Sequence, residues 1–138
     1  MYDHNTFILI APDCPAQQGV VPESKRVPRP FPVVQFEVLS NEPYRFSYAE
    51  SLCEIHARQN GLDGTALDDE ELVKALLRKN PCPRTSALPK RYGWGIHVDA
   101  RSKLALWACD SKEYRRLARS KPGTLLLVPA LRSKRAAR

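Results

Sequence analysis

Lys90-Arg91-Tyr92-Gly93-Trp94-Gly95-Ile96-His97-Val98-Asp99-Ala100-Arg101-Ser102-Lys103-Leu104-Ala105-Leu106-Trp107-Ala108-Cys109 is the stretch that decides the fold. Residues 92–98 and 103–109 read as two strands, and Asp99, Ala100, Arg101 and Ser102 supply the turn of a tight hairpin. A hairpin implies antiparallel pairing. Along the first strand Tyr92, Trp94 and Ile96 share one face, and Gly93, Gly95 and His97 share the other. The aromatic face is expected in the core. The glycine face has two readings. It is either a shallow groove for a planar ligand or an extended backbone, with His97 as acid, base or ligand. Or it is the place where a helix packs closely on the sheet, with His97 hydrogen-bonded beside it.

Upstream, residues 6–11 form a short apolar run ended by Pro12, which suits a buried strand. Residues 12–32 are proline-rich, with Lys25, Arg26 and Arg29 close to Pro28, Pro30 and Pro32, and form either an ordered loop against the sheet or a free arm. In residues 33–39, Val34, Phe36 and Val38 alternate with Gln35 and Glu37, the period of a half-buried strand. Ser47-Tyr48-Ala49-Glu50 is a capping box that opens a helix, and Gly61 stops it. A second helix is expected over residues 67–79. Asp68, Asp69, Glu70 and Glu71 occupy its first turn and Arg78 and Lys79 its last, as the helix dipole favours. Leu72, Val73, Leu76 and Leu77 are its expected buried stripe, and residues 80–91 read as a loop.

Downstream of the hairpin, Ser111 can cap a third helix over residues 112–120, which Lys121-Pro122-Gly123 breaks. Residues 124–128 suit a last strand, and from Pro129 the chain is expected to fray. The expected order is β-β-α-α-β-β-α with a final β. That is an α+β fold with a mainly antiparallel sheet of four to five strands and two or three helices packed on it. It forms one domain over residues 1–129, followed by a basic tail, 130–138.

The composition agrees with a packed domain: 138 residues, 43% hydrophobic and 27% charged. Charge is distributed unevenly. Residues 1–111 hold thirteen Lys/Arg against fourteen Asp/Glu, whereas residues 112–138 hold nine Lys/Arg against Glu113 alone. The basicity therefore belongs to the C-terminal end, where it can attract phosphate or simply solvate the chain. Met1-Tyr2-Asp3-His4-Asn5 has no basic leader character, and no apolar run approaches the ~20 residues of a membrane span. A cytoplasmic location with no membrane partner is the expectation. Cys14, Cys53, Cys82 and Cys109 are then thiols, and their wide spacing supports no zinc or C-x-x-C motif. No metal and no cofactor are expected.

Three functional readings follow. The leading one is a binding module for an anionic partner, nucleic acid or a phosphorylated small molecule. Arg84, Ser86, Lys90, Arg91, Tyr92, Trp94 and His97 would line the pocket, because cations assisted by hydroxyls hold phosphate. Arg115, Arg119, Arg132, Lys134 and Arg135 would track a polyanion. The second is a small enzyme, with Cys14 or Cys82 as nucleophile and His97 as base. The third is an interaction or dimerisation module using a strand edge or an apolar groove. P-loop, G-x-S-x-G and H-E-x-x-H motifs are absent.

The segments Asn5-Thr6-Phe7-Ile8, Asp13-Cys14-Pro15, Asn41-Glu42-Pro43-Tyr44-Arg45, Lys90 to His97 as quoted above, and Arg132-Ser133-Lys134-Arg135-Ala136 resemble, in the same order, a family of small, mostly bacterial proteins of unknown function. The resemblance implies a single compact domain and carries no activity. It groups Cys14, Cys82, Lys90, Arg91, Trp94, Gly95, His97 and the cluster from Arg132 to Arg135 into one constellation. The basic, proline-rich stretch around residues 25–32 departs from it.

Overall fold

The computed structural model describes residues 2–62 and 69–134. Among them run β1 (Thr6–Leu9), α1 (Phe31–Asn41), α2 (Tyr48–Gln59), α3 (Glu70–Lys79), a 3-10 turn (Pro83–Thr85), α4 (Ala87–Arg91), β2 (Trp94–Val98), β3 (Leu104–Ala108), α5 (Lys112–Ala118) and β4 (Leu126–Pro129). The four strands form one sheet in the order β3-β2-β1-β4. β2 pairs antiparallel with β1 and with β3, whereas β4 lies parallel to β1, with Leu9 opposite Pro129. The fold is α+β, but the sheet is mixed, and the described residues form five α-helices rather than two or three.

Two expectations about local structure are corrected. Residues 33–39 are helical, not a strand. Val34, Gln35, Val38 and Leu39 are buried, the i, i+1, i+4, i+5 stripe of a helix, and Pro32 stands in the first turn where a missing N–H costs nothing. Val34 and Val38 fit either period; tertiary burial selects the helical one. Residues 80–91 are not a plain loop. Ser86 caps α4 by accepting from the Leu88 N–H at 3.2 Å.

Other local signals hold. The capping box closes both ways: the Ser47 hydroxyl accepts from Glu50 N–H at 3.2 Å and Glu50 accepts from Ser47 N–H at 2.9 Å. Ser111 accepts from Tyr114 N–H at 3.1 Å and opens α5. Asp99 accepts from the Arg101 and Lys103 N–H groups, both at 2.9 Å, and shapes the hairpin turn. The N-cap of α3 is Asp69, and its stripe Leu72, Val73, Leu76 and Leu77 is only half-buried. Leu67 and Asp68 lie outside the described residues.

Ile8, Ile96, Leu104 and Leu106 of the sheet pack with Val34, Val38, Leu39, Ile55 and Leu88 into the main core. The opposite face is covered by α5. A Cβ on Gly95 would stand 2.7 Å from the rings of both Phe7 and Tyr114. The close-packing reading of the glycine face is therefore the observed one. Trp94 is half-buried, its ring tilted against Phe36 with 5.0 Å between centroids, and its indole N–H donates to Val20 O at 2.8 Å. Residues 16–20 lie across Gly93, held by Val20 N–H to Tyr92 O at 2.8 Å.

Candidate functional site

Three segments distant in sequence meet where β1 and β4 both end. Ala130 N–H donates to Leu9 O at 2.8 Å, Ala11 N–H to Pro89 O at 2.9 Å, and Leu131 N–H to Arg84 O at 3.0 Å. The Arg84 guanidinium donates to Pro129 O at 2.7 Å and to the Tyr2 hydroxyl at 3.3 Å, and lies 5.5 Å over the Tyr2 ring. The Asp13 carboxylate accepts from Ser133 N–H and Lys134 N–H, each at 3.0 Å. These bonds, with the Lys134 N–H foremost, hold the Asp13 carboxyl below the usual carboxylate range. Residues 130–134 are thus tied down, with Ala130 buried, instead of frayed; the last four residues lie outside the described ones.

The clamp fixes the backbone of Lys134 and its neighbour Arg132, both exposed, at this end of the sheet. α4, with Lys90 and Arg91 in its last turn, meets the same junction through the Pro89 carbonyl. Among the described residues, none of these four cations forms an ion pair. Of the expected pocket, Arg84 is here, and Lys90 and Arg91 follow Pro89 on α4. Ser86 is buried in the core, donating to the Gln35 side-chain oxygen at 2.6 Å. Tyr92 and Trp94 serve packing. Arg115 and Arg119 are exposed on α5, and Arg135 lies outside the described residues.

His97 is elsewhere, on the α5 face, where its Nδ1 is 2.8 Å from the Tyr44 hydroxyl, which also accepts from the Trp107 indole N–H at 3.1 Å. Tyr44 reaches it from the α1–α2 turn by wrapping the free edge of β3, its N–H bonded to Leu104 O at 2.8 Å. Burial holds the His97 imidazole below its ordinary pKa, so it is neutral at pH 7. None of the cysteines is among its partners. Cys82 sits by Tyr48, and Cys14 by Cys109 and Tyr114. The Cys–His pairing expected for an enzyme is not formed.

Other surfaces carry less. A groove of about 610 Å³ at the opposite end of the sheet is lined by His4, Asn5, Ser120 and residues 122–127, with no lysine or arginine. The outer edge of β4 is limited by Pro129, which has no N–H, and by Arg84, which occupies the Pro129 carbonyl. Among the described residues, no group of three or more His, Cys, Asp or Glu side chains could hold a metal, and no helix is long and apolar enough to cross a membrane.

Residues 1–136 match the model of a family of unknown function, DUF6157. The chain belongs to this family. No curated protein and no solved structure matches it. Membership in DUF6157 covers the junction and the His97–Tyr44–Trp107 cluster alike and assigns chemistry to neither. Two features of this DUF6157 chain escape sequence reasoning. Nothing local marks Asp13 as the partner of residues 120 positions away. Tyr44 follows a proline in a turn, and only its left-handed φ of 60° turns its phenol towards His97.

Proposed function

We propose that the protein is a binding module for an anionic partner, nucleic acid or a phosphorylated small molecule, which it engages at the junction of residues 11–14, 84–91 and 129–134. The observation that carries this reading is the Asp13 clamp. It commits a carboxylate to two backbone N–H groups and thereby orders a segment whose side chains are cations. Arg132 and Lys134, with Lys90 and Arg91, then form a preorganised cationic surface in place of a flexible tail, which lowers the ordering cost of binding. Arg84 acts differently: its guanidinium is held by Pro129 and Tyr2, so it builds the junction.

The test is fluorescence anisotropy with labelled single-stranded and duplex oligonucleotides across a salt series, with inorganic pyrophosphate as competitor. Substitutions suit the question better than truncation at Pro129, because Ala130 is part of the core. Arg132→Ala with Lys134→Ala is expected to weaken binding and to flatten the salt slope by about 0.9 for each duplex phosphate no longer neutralised. Asp13→Ala carries the sharper sign. If charge alone mattered, removing an anion would strengthen polyanion binding; if the clamp matters, it weakens it. Pyrophosphate binding without oligonucleotide binding selects the small-molecule partner. Binding of neither probe, or unchanged binding in Arg132→Ala with Lys134→Ala, refutes the reading.

A further inference from the structure

Cys14 is bracketed by contacts to the neighbours of Cys109. On one side of it, Ile10 N–H donates to the Tyr114 hydroxyl at 3.0 Å. On the other, Ala16 and Gln18 press on Gly93, whose carbonyl accepts from Cys109 N–H at 2.9 Å. Gly19 N–H donates to the Asp110 carboxylate at 3.2 Å, and a Cβ on Gly19 would stand 2.7 Å from the Ala108 Cβ. Gly19, five residues past Cys14, is thus held to both neighbours of Cys109, and Ile10, four residues before Cys14, to Tyr114 five residues past Cys109, although 94 intervening residues separate the two cysteines in the chain. Both thiols are free and half-buried, so a small reagent can reach them.

We propose that Cys14 and Cys109 form a reversible intramolecular disulfide by exchange with a small-molecule disulfide such as oxidised glutathione. The Cys14 thiolate attacks one sulfur of the reagent, whose S–S bond breaks and releases one thiolate, protonated by solvent. The Cys109 thiolate then attacks the Cys14 sulfur of the mixed disulfide and expels the second small thiol. The two protein thiols lose two electrons and two protons, and the reagent is reduced to two thiols. Burial, then Asp110 and Cys14, raise the Cys109 pKa. A raised pKa leaves less Cys109 thiolate at neutral pH, which suits the resolving role. Cys53 is buried in α2, and Cys82 lies by Tyr48. The bond ties the Asp13 turn to the end of β3. It does so whether or not the junction binds an anion.

The full native chain is incubated with oxidised glutathione, alkylated without reductant, digested and mapped by mass spectrometry. The expected result is loss of two of the four alkylatable thiols, a Cys14–Cys109 crosslinked peptide, and reversal by excess reduced glutathione. Cys109→Ser is expected to trap a glutathione adduct on Cys14. Separate glutathione adducts on Cys14 and Cys109 without the crosslink, a different cysteine pair, or four free thiols at equilibrium would each overturn the proposal. The same oxidation in urea identifies pairing that needs no native structure. A Cys14–Cys109 yield no higher in the native chain than in urea also overturns it.

Discussion

Gly93→Ala tests whether residues 16–20 lie on the sheet as described. Gly93 has φ +78°, and an added Cβ would stand 2.4 Å from the Gln18 carbonyl oxygen and 3.1 Å from the Ala16 Cβ. The first of these is backbone, which cannot rotate away. An L-residue in the left-handed region costs about 1–2 kcal/mol. Overpacking against fixed atoms adds about 1–3 kcal/mol, for a total of about 2–5 kcal/mol. Gly123 supplies the control, with φ +89° and nothing within 4 Å of an added Cβ. Gly123→Ala is therefore expected to cost only the conformational part, about 1–2 kcal/mol. With about 2.1 cal/mol/K of unfolding entropy per residue, 1 kcal/mol lowers the Tm of a chain this size by about 3 °C. Urea denaturation and a thermal scan of the two variants give the comparison directly. Equal losses in Gly93→Ala and Gly123→Ala would refute the placement of residues 16–20 over Gly93, and with it the bracketing of Cys14.

Two further outcomes rest on the buried polar groups. Burial, first among the causes, lowers the His97 pKa from 6.5, so the unfolded chain binds a proton more readily than the folded one. Stability is thus expected to fall as pH drops below 6.5 towards the folded midpoint, with no change from this group above 6.5; an imidazole midpoint at or above 6.5 by NMR would contradict it. Ser86 donates to buried Gln35, whose side-chain nitrogen has no partner. Ser86→Ala is expected to cost about 2 kcal/mol, from the missing cap and the orphaned Gln35 oxygen. In a Gln35→Leu background that cost should shrink by about 1 kcal/mol in a double-mutant urea cycle.

Local physics was legible wherever a residue's partner lies within a few positions. The capping box at Ser47 and Glu50, the Ser111 cap and the Asp99 turn all rest on bonds spanning two to four residues. The hairpin followed from alternation and a turn. The α+β class followed from these elements together. Period alone misread residues 33–39, because Val34 and Val38 satisfy both a strand face and a helix face, and the choice depends on what covers them. Of the candidate site, Arg84, Lys90 and Arg91 were legible as one group and Arg132 and Lys134 as another, since charges close in the chain are written in the sequence.

The junction itself was not legible. It depends on β4 lying parallel beside β1 and on Asp13 accepting hydrogen bonds 120 and 121 positions away. The same holds for His97, which the motif placed beside the cations and the sheet turned to the opposite face, against Tyr44 and Trp107. By itself the sequence determined the helix caps, the hairpin and the inventory of charged groups, because short-range hydrogen bonds and charge are written in neighbouring residues. Only the tertiary structure decided which groups face each other, because strand order and burial are set by contacts across the whole chain.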